Sequence, residues 1–212
     1  LMVNEIKNLK FKKLLQTCSY LPHFISWVII SSISYQFLSQ SGIINTLLKN
    51  MHVIDKPIKF LTDASKFWGL AVSLDIWKEM GWWTIIFLAA IVGISQDYYE
   101  AAQIDGATRL QRIFYITLPC IKSTIVVVLI MTMGNLFGGG LSGSNFEQCY
   151  LLGNNVNADT STIIQTYVFD VGLAQGRYAY ATAVGLIQSV ISLVLIFASN
   201  FVSKKLAGSG LF

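Results

Sequence analysis

The sequence predicts an all-α membrane protein whose helices cross the bilayer several times. Of its 212 residues, 54% are hydrophobic and 12% are charged. With a mean hydropathy of +0.58, the chain is too apolar for an ordinary soluble domain. The apolar residues form four runs, each long enough for a helix to cross the ~30 Å hydrocarbon layer. The predicted spans are residues 19–38, 74–95, 119–137 and 181–202.

The first span follows a basic flank, which the positive-inside rule assigns to the cytoplasm. The flanking lysines are Lys7, Lys10, Lys12 and Lys13. Pro22 falls in the first turn of the span, where a proline costs little. His23 beside it could relay a proton or contact a ligand, but the favoured interpretation is an interfacial histidine bonded to the backbone.

Residues 40–70 are polar and mixed, and they predict an external connection. Within it, residues 57–61 and 67–68 indicate a short amphipathic piece that lies on the membrane surface or docks a partner. The second span then begins with tryptophans that mark the outer interface. Lys78 and Glu79 precede its most apolar part, so they need not be buried in lipid.

The third and fourth spans complete the predicted topology. The third leads into a glycine-rich turn and a second external segment, residues 138–180. The glycine run lacks the GxxxxGK[ST] pattern of a phosphate-binding loop. Lys204 and Lys205 follow the last span and place the C-terminus in the cytoplasm. The net charge of +4 is therefore a topology signal, and it does not indicate a nucleic-acid partner.

A polar interruption, residues 96–118, separates the second and third spans. Residues 100–105 are good helix formers, and Gly106 can end that helix with a positive φ. Thr108 is a candidate N-cap for a second helix, and Pro119 suits the first turn of the helix after it. This helix–turn–helix, with small Ala101 and Ala102 on one side, suits insertion into a groove on a soluble partner.

Three strings in this region resemble the EAA loop of binding-protein-dependent ABC importer permeases. They are Glu100-Ala101-Ala102, Asp105-Gly106-Ala107 and Leu118-Pro119. Three further strings resemble the branch that imports oligosaccharides or polysaccharide fragments. These are Tyr20-Leu21-Pro22-His23-Phe24-Ile25-Ser26-Trp27, Phe146-Glu147-Gln148 and Ala181-Thr182-Ala183-Val184-Gly185-Leu186.

The resemblance implies a type I importer (MetI-like) permease of the bacterial inner membrane, a single transmembrane domain over residues 1–212. Such permeases have six spans, so about two N-terminal spans are expected to be missing here. The implied partners are two ATP-binding subunits, a second homologous permease, an extracytoplasmic solute-binding protein and a carbohydrate solute. The implied ATPase-coupling residues are Glu100, Ala101, Ala102, Asp105, Gly106, Ala107, Arg109 and Pro119.

Polar residues inside the predicted spans are candidates for the solute pathway, because they are costly to bury against lipid. Gln36, Asn135 and Gln188 are the main candidates, and Tyr35 and Phe137 could stack on a sugar ring. Each polar residue could equally form an interhelical hydrogen bond.

The sequence indicates no catalytic, cofactor or metal site. It contains no Walker A loop and no HExxH motif, and Cys18, Cys120 and Cys149 lack metal-ligand spacing. The predicted function is therefore transport driven by a separate ATPase. Two alternatives stay open: the same machinery for a peptide or amino acid, and an integral membrane enzyme or assembly protein whose loop imitates the motif.

Overall fold

The computed structural model describes residues 9–136, 144–208 and 210, and this described part is helical and contains no β-strand. The all-α prediction is therefore confirmed. The α-helices, in chain order, are α1 Leu9–Tyr20, α2 Trp27–Leu38, α3 Ile43–Asn50, α4 Phe67–Val92, α5 Gln96–Ile104, α6 Arg109–Arg112, α7 Leu118–Cys120, α8 Lys122–Asn135, α9 Ser144–Leu152, α10 Ala158–Ser161, α11 Ile164–Phe169 and α12 Tyr178–Ala207. Short 3₁₀ helices occupy Leu21–Phe24 and Ala64–Lys66, and π-helical turns occupy Ile113–Thr117 and Asp170–Ala174.

One described helix is long and apolar enough by itself to cross a membrane, Tyr178–Lys205. Three bent helix pairs meet the same criterion jointly, which allows up to four crossings. The pairs are Lys13–Phe24 with Trp27–Asn50, bent by 100°, Ala64–Val92 with Gln96–Ile104, bent by 71°, and Arg109–Cys120 with Lys122–Asn135, bent by 63°.

The stretch predicted as the first span is not one straight helix. The 3₁₀ helix that contains Pro22 ends at Phe24, and Ile25 is extended with φ −82° and ψ 129°. Ser26 then starts α2, because its hydroxyl accepts a 3.4 Å hydrogen bond from the Ile29 amide. The local rule that places proline in a first turn is met, but that turn belongs to the 3₁₀ helix.

The chain divides into two compact units, of which the first comprises residues 1–17, 81–138 and 187–212. In this unit, α8 and α12 approach each other closely at Gly134. A β-carbon added to Gly134 would lie 2.9 Å from Cδ1 of Ile196, so this position requires the smallest residue.

The second unit comprises residues 18–80 and 139–186. Its apolar centre is formed by Leu61, Phe67, Ala71, Cys149 and Leu152. Side-chain amides fix the irregular chain around that centre. The Nδ2 atoms of Asn154 and Asn157 donate to the Leu61 carbonyl at 2.9 and 3.0 Å, and Gln148 donates to the Ala71 carbonyl.

Within residues 40–70, which the sequence predicts to be an external segment, the amphipathic helix is α3, at residues 43–50. The expectation of such a piece at residues 57–61 is wrong, because these residues form no helix. Fully buried Asn45 of α3 accepts from the Ile58 amide at 2.7 Å and donates to its carbonyl at 3.0 Å. These two hydrogen bonds satisfy the amide and the carbonyl of Ile58, which in a helix would be satisfied by helical hydrogen bonds.

Asp63 begins the short 3₁₀ helix at the end of the same segment. Its carboxylate accepts from the Lys66 ammonium at 2.7 Å and from the Ser65 hydroxyl at 2.6 Å. These bonds, chiefly the one from Lys66, lower the pKa of Asp63 to about 2.

Candidate functional site

The polar interruption folds into a helix–turn–helix, which we call the elbow and define as residues 96–118. Its first arm, α5, is capped by Ser95, whose hydroxyl accepts from the Asp97 amide at 3.3 Å. The arm ends at Gly106, which has φ +74°. The Gly106 amide donates to the Gln103 carbonyl, and the Ala107 amide donates to the Ala102 carbonyl. This pair of bonds is a Schellman motif, so the predicted helix end at Gly106 is confirmed.

The second arm begins at Thr108, as the sequence predicts. The Gln111 amide donates to the Thr108 hydroxyl at 3.4 Å, and the Thr108 amide donates to the Gln111 side-chain oxygen at 2.7 Å. This reciprocal capping box starts α6. The arm continues through the π-helical turn Ile113–Thr117 into α7, which contains Pro119 in its first turn.

A buried hydroxyl connects the two arms. Thr117 is 3% exposed, and its Oγ1 lies 2.9 Å from the hydroxyl oxygen of Tyr99 on the first arm. The Thr117 hydroxyl also donates to the Arg112 carbonyl at 3.4 Å. This contact was not predicted, because no local sequence pattern pairs two residues that are 18 positions apart.

An open pocket of about 320 Å³ lies between the arms of the elbow. The lining residues are Ala102, Asp105, Gly106, Ala107, Gln111, Arg112, Tyr115 and Ile116. Four of the predicted coupling residues, Ala102, Asp105, Gly106 and Ala107, therefore share one concavity. The other four, Glu100, Ala101, Arg109 and Pro119, are exposed and do not line it.

Large apolar side chains on the elbow are strongly exposed. Ile104 is 87% exposed and Tyr115 is 80% exposed, with Leu110 and Phe114 also above half. Exposed apolar groups concentrated on one small structure are typical of an interaction surface. The elbow can therefore present apolar contacts together with the Glu100 carboxylate.

The predicted solute-pathway residues fall in both units. Tyr35 and Gln36 lie on α2 in the second unit and are exposed, and the Tyr35 hydroxyl is 3.5 Å from the Leu152 carbonyl. Asn135 is exposed at the end of α8 in the first unit. Gln188 on α12 is half-buried, and its Nε2 is buried without a hydrogen-bond partner among the described residues. Phe137 lies outside the described residues.

A cluster of ionisable groups in the second unit was not predicted. The Lys78 ammonium donates to the Glu79 carboxylate at 3.1 Å, and the ring Nδ1 of His23 lies 2.9 Å from the same carboxylate. Lys78 is 7% exposed, and its Nζ lies 5.9 Å from the Trp27 ring centroid. The ring of His23 thus has a carboxylate partner where the sequence indicated a backbone one. The available signal was the presence of a histidine, a lysine and a carboxylate at the edges of two apolar runs.

The helices and the elbow define the class of protein, a polytopic membrane component of a transport system. Residues 5–208 match the family described as the binding-protein-dependent transport system inner membrane component. The chain belongs to this family.

The alignments with two relatives from Bacillus subtilis (strain 168) cover the whole chain. Protein LplB is 45% identical over 213 residues, which are 65% of its length. The polygalacturonan/rhamnogalacturonan transport system permease protein YteP is 42% identical over 213 residues, which are 64% of its length. The chain thus spans slightly less than two thirds of these curated relatives.

The fold is also similar to a solved transporter. A chain in the crystal structure of a bacterial alginate ABC transporter, in complex with an alginate pentasaccharide-bound periplasmic protein, superposes with a TM-score of 0.91 at 39% identity. The match covers 99% of this chain and 71% of that one. The MetI-like permease fold that the EAA-loop resemblance implied is confirmed.

Proposed function

We propose that this chain is the transmembrane permease subunit of an ABC importer for an oligosaccharide or another carbohydrate. The observation that carries the proposal is the elbow: a glycine-ended helix with an exposed carboxylate and exposed apolar side chains, in a chain of this family. The carbohydrate class is supported by YteP, a polygalacturonan/rhamnogalacturonan transport permease, and by a similar bacterial ABC transporter that is involved in the import of the acidic polysaccharide alginate.

The elbow is the coupling element in this proposal. Glu100 meets basic residues in a cleft of an ATP-binding subunit, Ala101 and Ala102 permit close approach, and Gly106 permits the bend. Arg109 and Pro119 position the second arm. Two ATP-binding subunits, one for each of two homologous permeases, close on ATP and draw the two elbows together, so that the spans rock between outward-facing and inward-facing states.

The remaining assignments follow from the predicted topology. The protein lies in the bacterial inner membrane with a cytoplasmic C-terminus, and a solute-binding protein docks on the segments 40–70 and 138–180. The permease changes no covalent bond and uses no cofactor of its own. Gln36, Asn135 and Gln188, with Tyr35 and Phe137, line the solute pathway. Gln188→Ala should weaken solute uptake, and uptake equal to that of the parent removes this residue from the pathway.

The test is reconstitution of the full complex in liposomes. The chain is purified in mild detergent together with the ATPase and the second permease that co-purify with it. ATP hydrolysis and uptake of labelled solute are then measured in the presence of solute-loaded binding protein. Acidic oligosaccharides, such as oligogalacturonates, are compared with neutral sugars, peptides and amino acids. Stimulation by a carbohydrate supports the proposal, and stimulation by a peptide or amino acid alone overturns the substrate class.

Charge reversal tests the coupling assignment within the same assay. Glu100→Lys should strongly reduce ATPase co-purification or uptake, because it brings a cation against a basic cleft, and Glu100→Gln should have an intermediate effect. Uptake at the parent level in Glu100→Lys contradicts the assigned role of the elbow.

A further inference from the structure

We infer that Tyr99 and Thr117 are a positioning pair that fixes the angle between the two arms of the elbow. The inference rests on the proposed function and adds a role for two residues outside the coupling set named above. Because the arms are held at a fixed angle, a displacement of the first arm is transmitted to the helix that follows the second.

The geometry places this contact at the open end of the elbow. Tyr99 precedes Gly106 by seven residues of α5 and turn, about 10 Å along a helix. The arms are therefore joined at two separated points, the Gly106 turn and the Tyr99–Thr117 hydrogen bond. Two points of attachment fix an angle that a single turn does not.

One hydrogen bond joins the two hydroxyls, and either oxygen can be its donor. The Thr117 hydroxyl also lies 3.4 Å from the Arg112 carbonyl of its own arm. The chain of bonds runs from the first arm, through the hydroxyl of Thr117, a residue that is 3% exposed, to the Arg112 carbonyl immediately before the π-helical turn. Burial makes the pairing important, because a buried hydroxyl without a partner is costly.

The π-helical turn explains why the second arm needs such support. A π-helical turn is a local widening of a helix; such turns are rare and frequently lie at functional sites. Here it lies between α6 and α7, and α8 follows α7. Without the bond to Tyr99, the angle between the arms depends more on the turn at Gly106, the residue type with the greatest backbone freedom.

The experiment uses the reconstituted complex and measures solute molecules imported per ATP hydrolysed. The variants are Tyr99→Phe, Thr117→Val and the double variant, which remove hydroxyls with little change in volume. We expect each single variant to lower the ratio by roughly three- to tenfold, the equivalent of one lost hydrogen bond. The double variant should be no worse than Thr117→Val, because that variant already lacks the bond to Tyr99 together with its own bond to the Arg112 carbonyl. Thr117→Ser keeps the hydroxyl and should restore the ratio.

Thr132→Val is the matched control. Thr132 lies on α8, is exposed, and its hydroxyl donates to the Val128 carbonyl within the same helix. The complex with Thr132→Val should import as many solute molecules per ATP hydrolysed as the parent complex. A Thr117→Val ratio equal to that of Thr132→Val, or single effects that multiply in the double variant, overturns the inference. A parent complex that neither imports a solute nor responds to the binding protein instead contradicts the proposed function.

Discussion

Lys78 donates a 2.8 Å hydrogen bond to the backbone carbonyl of His23, 55 residues earlier in the chain. That carbonyl belongs to the 3₁₀ helix that ends at Phe24, immediately before the extended residue Ile25. Glu79 completes the contact, because its carboxylate accepts from Lys78 and pairs with the His23 ring. The break before α2 is thus fixed to α4 by two side-chain contacts within the second unit, and the Lys78–Glu79 bond joins the two side chains that make them.

Removing the Lys78 ammonium should destabilise the protein. In Lys78→Met the His23 carbonyl and the Glu79 carboxylate each lose a charged donor in a poorly hydrated place. We expect the free energy of unfolding to fall by about 1–3 kcal/mol. This effect is smaller than for a fully buried pair, because Glu79 keeps some contact with solvent. The measurement is thermal unfolding of the purified protein in detergent.

The control for this change is Lys66→Met. Lys66 forms a shorter 2.7 Å pair with Asp63, but its side chain is 48% exposed. Solvent screens an exposed pair, so it contributes little to stability. Equal shifts of the melting temperature in the two variants would show that burial of Lys78 does not determine the strength of its contacts.

Asn45 is a second buried side chain with several backbone partners. Besides its two bonds with Ile58, it donates to the Ser39 carbonyl at 2.9 Å. Asn45→Ala should lower the free energy of unfolding by about 2–4 kcal/mol in denaturant unfolding, because the Ile58 amide and carbonyl lose their partner and the Ser39 carbonyl keeps only the Gly42 amide. Asn50→Ala, at an exposed position of the same helix, should change stability by less than about 0.5 kcal/mol. A small effect at Asn45 would mean that water replaces its bonds.

The parts of the elbow that follow local rules could be predicted from the sequence. Gly106 ends a helix because glycine adopts positive φ at little cost, and Thr108 starts the next because its hydroxyl reaches the Gln111 amide. Both effects act within four residues, so the pattern of residue types contains them.

The contacts between distant residues could not be predicted in this way. Tyr99 and Thr117, or Lys78 and His23, meet only because the chain folds back on itself. Residues 57–61 have an amphipathic pattern, but the amide of Asn45 binds their backbone in an irregular conformation. Tertiary contacts thus override the local preference at those positions.

Gly106 should not tolerate a β-carbon. Its φ of +74° is strained for alanine, although a β-carbon there meets no atom within 4 Å. We expect Gly106→Ala to destabilise the elbow by about 1 kcal/mol and Gly106→Asn to cost less, because asparagine tolerates this region. Gly69→Ala in α4 is the control. A β-carbon at Gly69 also meets no atom within 4 Å, and because the position is helical, alanine there should leave stability unchanged or raise it. Hydrogen exchange of the α5 amides measures the local effect, and equal protection in Gly106→Ala and the parent contradicts it.

Cys149 should be nearly inert towards thiol reagents in the folded protein. It is 3% exposed, and burial raises its pKa to about 11. At pH 8 its thiolate fraction is therefore roughly 100-fold below that of an ordinary cysteine, before steric protection is counted. In a Cys18→Ser, Cys120→Ser background, labelling should be slow at pH 8 and accelerate strongly in denaturant.

The pH dependence is a second test. The labelling rate of Cys149 should keep rising with pH up to about 10. The stability of the protein should fall above about pH 9, because the unfolded chain then releases the thiol proton first. A labelling rate that levels off near pH 9 in the folded protein would show an ordinary, accessible thiol.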